Sequence, residues 1–301
     1  MTDGSVTFDL ATPGEVETIA AWAAAEGWNP GPADAALFRL ADPEGFLVAR
    51  EGGEMVASIS LVRAGPAFAF LGFYIVRPDR RGRGIGKALW DVALARNGTA
   101  TVGLDGVLAQ QANYAKSGFA FAHRNIRFAG RPDIAPPDDP RLRAPATEAD
   151  VAAILAYDAP LFPGPRTPFL RAWLAGPGPG PGPGHGTGTG PGHVARMLVE
   201  DGAVRGYGVV RPCAEGHKIG PLFADGPAEA DLLFRALAAA VATTGADGPV
   251  ILDAPEPNVA ATALAARHGL VPVFETARMY RGPAPDLDLS RIFGITTFEL
   301  G

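Results

Sequence analysis

The sequence predicts an α/β protein of two similar units in tandem, each a mixed, mostly antiparallel sheet flanked by helices. Three observations carry this. The first 130 residues alternate between helical periodicity and short runs of β-branched and aromatic residues. A proline-rich stretch, "RPDIAPPDDPRLRAP" (131–145), can continue neither a helix nor a central strand. After it the text restarts: "ATEADVAAIL" echoes "ATPGEVETIA", "MLVEDGAVRGYGVV" echoes "FLVAREGGEMVASISLV", and "NVAATALAARHGLVPVFETARMY" echoes the helix and strand that close the first half. Two copies are too few for a solenoid and imply paired units.

The elements follow in order. The order opens with a strand ahead of the first helix. In "PGEVETIAAWAAAEGW", Thr12 is placed as an N-cap, Pro13 at the first helical position and Glu15 in the first turn, with Val16, Ile19, Ala20 and Ala23 on one face. A break at "GWNPGPAD" precedes a short helix near Ala35 to Leu40. "FLVAR" and "MVASISLV" make a hairpin over Gly52 and Gly53, and "AFLGFYIV" is a third strand. The helix of "GIGKALWDVALARNG" comes next, then a strand in "TATVGLDGVLA", a short helix in "QQANYAKS" and a strand in "FAFAHRNIRFAG". The first half thus reads β-α-α-β-β-β-α-β-α-β. Residues 1–130 form one unit, 131–145 the linker and 146–301 the second unit. The second unit carries a Gly/Pro low-complexity loop at 176–192 that can bury almost nothing.

At 301 residues either unit can bury a core, and 47% hydrophobic with 19% charged residues is a globular composition. A net charge of -6 argues against a nucleic-acid binder. No apolar run approaches a membrane span and the N-terminus lacks signal-peptide character, so the expected location is cytoplasmic. The single cysteine, Cys213, excludes an intrachain disulfide and a thiolate cluster, and no metal is expected. His185 within the Gly/Pro loop and His193 at its end read as bystanders rather than ligands.

Chemistry concentrates in "RRGRGIGKALW" (Arg80 to Trp90). Gly82, Gly84 and Gly86 permit a tight turn with converging N–H groups, and the helix starting near Gly84 adds its positive end. Arg77, Arg80, Arg81, Arg83 and Lys87 add five cations. A nucleotide P-loop fails, because Arg81 stands where its first glycine is needed and Ala88 where its hydroxyl is needed. A dinucleotide fingerprint fails at Lys87, where its last glycine belongs, and the loop follows an antiparallel meander.

The pattern that remains, [RQ]-x-x-G-x-[GA] at Arg81, Gly84 and Gly86, resembles the GNAT N-acetyltransferase superfamily, as does the preceding "YIVRPDRRGRG". The resemblance implies that Arg81, Gly82, Arg83, Gly84, Ile85, Gly86 and Lys87 hold the diphosphate of acetyl-CoA, with Ile75 and Val76 along the pantetheine arm. "YAKSGF" is similar to the family's Y-x-x-x-G-F segment, which makes Tyr114 the general acid for the departing thiolate. The family's asparagine seven residues earlier is Val107 here.

The second unit carries neither the arginine-glycine loop nor a cation in "ADGPAEAD". Asp225, Glu229, Asp231 and Asp247 oppose a diphosphate there. Asn258 matches the family asparagine, while Ala265 stands at the tyrosine position. The whole resembles tandem GNAT proteins with a divergent second domain closed by "IFGITTFELG". By position the resemblance offers Glu26, Trp28, Asn29 and Asp34 for the acceptor side. Glu26 and Asp105 stand as candidate bases beside His123, and the choice between them stays open. The implied activity is acetyl transfer from acetyl-CoA to the amine of a small molecule by direct attack. Acetylation of proteins, or acyl-CoA binding without turnover, are the alternatives. The partners expected are a small amine, no nucleic acid and no membrane, in a monomer or homodimer.

Overall fold

A computed structural model describes residues 5–176, 192–242 and 248–301. His185, Asp247 and the Gly/Pro loop between Gly176 and Gly192 therefore lie outside the described residues.

The first half contains β1 (Val6–Leu10), α1 (Pro13–Ala25), α2 (Asp34–Ala41), β2 (Phe46–Glu51), β3 (Glu54–Arg63), β4 (Phe68–Val76), α3 (Ile85–Ala95), β5 (Thr101–Val107), α4 (Gln111–Lys116) and β6 (Ala120–Gly130). This is the predicted order. Thr12 and Glu15 cap α1 reciprocally, side chain to backbone in both directions. Gly52 and Gly53, at φ 59° and 87°, make the turn joining β2 to β3. The second half repeats the scheme. It runs β7 (Leu142–Arg143), α5 (Glu148–Asp158), α6 (Thr167–Ala175), β8 (Val194–Glu200), β9 (Ala203–Pro212), β10 (His217–Ala224), α7 (Pro227–Ala242), β11 (Val250–Pro255), α8 (Val259–Arg267), β12 (Val271–Arg281) and β13 (Ile292–Gly294). Its first helix carries the same reciprocal cap, from Thr147 and Asp150.

The two halves share one sheet, in the order β1-β2-β3-β4-β5-β12-β6-β11-β10-β9-β8-β7, with β13 added to β10. The closing strands are exchanged. β12, from the second half, runs antiparallel to β5, and β6, from the first half, runs antiparallel to β11. β6 and β12 pair with each other at the centre. Repetition in the sequence predicts two sheets side by side but not this crossing. Merging the sheets removes two exposed strand edges and leaves the five-residue β1 and the two-residue β7 at its margins.

Helices cover both faces. On one, α1, α2, α5, α6 and the C-terminal residues bury Ile19, Phe38, Phe73, Trp173, Tyr207 and Phe298 in a core spanning both halves. On the other, α3 packs Leu89 and Trp90 against the first half, where Ala277 and Met279 of β12 join the core. The helices α7 and α8 do the same for the second half, joined by Phe128 of β6. His193 belongs to this packing: its ring sits edge-on 4.7 Å from Trp173, and its Nδ1 lies 2.9 Å from the Trp173 carbonyl.

Candidate active site

The strands β4 and β5 run parallel from Phe68 opposite Thr101 to Leu71 opposite Leu104, and then part. The cause is a bulge in β4. Two residue steps on β3, from Ser58 to Ser60, face three on β4, from Gly72 to Ile75. Phe73 takes the extra position at φ 47°, its carbonyl held by the Ser58 hydroxyl at 2.9 Å. Between the diverging strands lies a cleft of about 400 Å³. Its floor is residues 71–76 and 104–107, Glu26 and Arg81 mark its mouth beside the glycine loop, Gln110 and the Tyr114 ring line one side, and its far wall is Arg127, Phe274, Thr276, Phe298 and Glu299.

The glycine-rich loop stands at the mouth. Gly82 and Gly84 have φ of 77° and 81°, and a Cβ on either would meet nothing within 4 Å. Glycine serves their backbone conformation and leaves open space outside. Gly84 caps the N-terminus of α3, so unpaired N–H groups face that space. Gly86 serves packing instead, because its Cβ would lie 2.7 Å from both the Tyr74 hydroxyl and Val76 Cγ2. The loop therefore fits a diphosphate. Its cations are less free than the sequence suggests. Arg80 and Arg83 share Glu51, Lys87 reaches Asp91, and Arg81 donates to Glu26 at 2.5 Å and to the Val76 carbonyl at 2.9 Å. Such solvent-accessible pairs are weak, so an arriving anion can reorganise them.

Tyr114 lines the cleft from α4. Its ring stacks on Trp90 at 5.7 Å and lies across Gly106, where a Cβ would come within 2.2 Å of it. Burial, with a smaller contribution from Tyr74, pushes the phenol up to about 12, so it stays protonated at neutral pH. Ile75 and Val76 line the same cleft. Val107 does too, and offers no side-chain amide there.

The acceptor-side expectations divide. Glu26 and Trp28 line the cleft, but Glu26 is the partner of Arg81. Asp105 also lines it, with both oxygens committed to Arg278 at 2.8 and 2.7 Å and one also receiving Asn125. As placed it is a structural anion rather than a free base. Asn29 and Asp34 are not among the lining residues and need correction. Asn29 clasps the backbone of Glu215 through both amide atoms, at 2.9 and 2.8 Å. Asp34, 1% exposed, pairs with Arg211 at 2.9 and 3.1 Å. Both brace one half on the other. His123 does not line the cleft either. It faces a separate small cavity with Phe68, Phe70 and Arg278, and burial, aided by Arg278, brings it down to about 4. Sequence reasoning missed the far wall entirely, since β12 reaches it through the strand exchange and Phe298 and Glu299 come from the other end of the chain.

The second half shows the counterpart of the cleft and what fills it. β10 and β11 also run parallel, to Ile219 opposite Leu252. Beyond that point β13 takes the gap: Gly294 pairs with Leu222, and the Ile295 N–H donates to the Asp253 carbonyl at 2.9 Å. Asn258 anchors this segment, donating to the carbonyls of Leu289, Ser290 and Ile292 at 3.1, 3.2 and 2.9 Å. The chain's own backbone thus satisfies the strand groups that the first half leaves facing its cleft. Asp225, in the loop after β10, is held by Tyr157 and Arg291, each at 2.8 Å. Among the described residues, no group of three or more His, Cys, Asp or Glu could hold a metal ion. No described helix is long and apolar enough to cross a membrane.

A splayed parallel pair above a glycine-rich helix N-terminus, in a duplicated fold, defines an acyltransferase of the GNAT class. The chain belongs to the GNAT acetyltransferase family. The profile of the acetyltransferase (GNAT) family matches residues 15–119, and that of an acetyltransferase (GNAT) domain matches residues 154–294. The chain is similar to the holothin acyltransferase of Pseudoalteromonas sp. (strain SANK 73390), 32% identical over 289 residues, which cover 95% of this chain and 92% of that protein. Among solved structures, it resembles a proposed acetyltransferase of Pyrococcus horikoshii, with a TM-score of 0.75 at 22% identity over 100% of this chain and 98% of the other. It also resembles a tandem GNAT protein from the clavulanic acid biosynthesis pathway, with a TM-score of 0.62 at 19% identity over 93% and 100%. At these identities the likeness to the solved structures is one of fold.

Proposed function

We propose that the chain transfers an acetyl group from acetyl-CoA to an amine of a small molecule, by direct attack and without a covalent enzyme intermediate. The observation that carries this reading is the cleft between β4 and β5, open at the glycine loop and walled by Phe274 of β12 and by Phe298 and Glu299 of the C-terminal segment. The amides of Gly82 to Lys87 and the Arg81 side chain would hold the diphosphate. Ile75 and Val76 would flank the arm, and the Tyr114 phenol, still protonated at neutral pH, would give its proton to the leaving sulfur.

A far wall made by the chain's own C-terminal residues favours a small acceptor over a polypeptide lying across an open groove. The relative that acylates holothin supports acyl transfer as the reaction. Calorimetry with acetyl-CoA, followed by thiol release against a panel of small amines, tests the reading. Micromolar binding and amine-dependent thiol release are expected. Binding without turnover on any amine would leave an acyl-CoA sensor, and no binding would end the proposal.

A further inference from the structure

Three carboxylates line the cleft, and two of them are committed. Glu26 pairs with Arg81 at the mouth, and Asp105 is bound through both oxygens to Arg278. The third is Glu299. It is 4% exposed, yet among the described residues its carboxylate makes no hydrogen bond and no ion pair within 4 Å. The cations whose charges it feels are engaged elsewhere: Arg127 with Asp253, Arg211 with Asp34, and Lys218 with the Trp28 carbonyl.

The backbone of Glu299 is fixed. The Thr297 hydroxyl accepts from the N–H groups of Glu299 and Leu300 at 3.1 and 3.0 Å, and Phe298 packs under the Arg127 guanidinium at 4.5 Å. Most telling is Gly72, where a Cβ would lie 2.6 Å from the Glu299 carbonyl oxygen and 3.2 Å from its Cα. Gly72 is the first residue of β4 beyond its last pair with β5. Glu299 therefore stands at the apex of the splay, the end away from the glycine loop. An arm entering with its diphosphate on that loop would bring its sulfur end toward this apex.

We infer that Glu299 is the residue that takes the proton from the acceptor ammonium, an inference that rests on the function proposed above. The acceptor arrives as an ammonium ion and gives one proton to the carboxylate. The freed nitrogen lone pair attacks the thioester carbon, the C–N bond forms, and the C–S pair leaves with sulfur, which takes the Tyr114 proton. The second proton lost by nitrogen returns through water to the tyrosine oxygen, and Glu299 releases its own to solvent. Ammonium and thioester thus give amide, thiol and one proton.

The test is Glu299→Gln, assayed with an alkylamine, which is protonated at neutral pH, and with hydroxylamine, which is not. Acetyl-CoA affinity by calorimetry is expected to stay within about twofold, while kcat falls about 100-fold or more with the alkylamine and far less with hydroxylamine. Unchanged kcat, or an equal loss with both acceptors, would overturn the inference while leaving the proposed function standing. A wild-type chain that neither binds acetyl-CoA nor acylates any amine would overturn both. Should the glutamine variant fail to fold, Glu299→Asp, which keeps the charge beside Arg127, carries the same comparison between acceptors.

Discussion

Asp105 on β5 and Arg278 on β12 form a buried two-pronged ion pair, with Nε–Oδ1 at 2.8 Å and Nη2–Oδ2 at 2.7 Å. Asp253 on β11 and Arg127 on β6 repeat it, with both contacts at 2.7 Å. In each pair the aspartate belongs to one half and the arginine arrives on the strand supplied by the other. Burial opposes the charge on Arg278, but the adjacent Asp105 carboxylate outweighs it and holds the guanidinium above its ordinary value. Removing one partner strands the other inside the protein. Arg278→Ala is therefore expected to cost about 3–5 kcal/mol of stability. Urea unfolding checks this, and a double-mutant cycle with Asp105→Asn should show strong coupling.

Tyr114→Phe should leave acetyl-CoA affinity near that of the wild type, since the ring's packing on Trp90 and Gly106 survives. Turnover should fall about 100-fold or more. With the phenol pushed up to about 12, no alkaline loss of activity below about pH 10 is expected from this residue. A pH profile of kcat distinguishes the two effects.

Gly72→Ala would place a methyl group against the Glu299 carbonyl and push the C-terminal segment off β4. Overpacking of this kind costs about 1–3 kcal/mol. The expected signature is a lower melting temperature together with a loss of turnover larger than the loss of acetyl-CoA affinity. A loss of stability alone would show that the segment's position is irrelevant to the reaction.

Two buried histidines contribute to the loss of stability in acid. Burial, then the nearby guanidinium of Arg278, brings His123 down to about 4, and burial, then Arg211, does the same for His193. The unfolded chain binds these protons near pH 6.5, whereas the folded chain resists them until about pH 4. The stability these two groups contribute is therefore full above about pH 6.5 and declines as the pH drops toward 4, by up to about 3 kcal/mol per histidine. Denaturant midpoints across that window should show the decline, and His123→Gln should reduce its slope.

Much of the molecule was legible because it is local. The Thr12 cap, the Gly52-Gly53 hairpin and the glycine loop each depend on residues a few positions apart. The exchange of β6 and β12 was not legible, because "AHRNIRF" and "FETARMY" present alternating patterns that can close either sheet. Asn29 and Asp34 were misplaced for a related reason. Their partners, Glu215 and Arg211, lie 186 and 177 residues away, and no periodicity reports them. The charged residues inside apolar strands, Asp105, Arg127, Asp253 and Arg278, were a usable signal. Four such side chains in four strands call for internal partners.

Occupation of the second cleft by β13 bears on stoichiometry. Isothermal titration with acetyl-CoA should saturate at one molecule per chain, although two halves of the same design are present. Asn258→Ala removes three hydrogen bonds to the filling segment and should lower stability without creating a second site, since β13 remains paired with β10.

The strand exchange also changes what the 131–145 linker is for. Each half completes the other's sheet, so the two are interlocked through eleven-residue strands rather than merely tethered. A protease cut within the linker would yield two fragments that still migrate as one particle and separate only on denaturation. The covalent connection governs how the chain finds its fold, and the crossed strands govern whether it stays together.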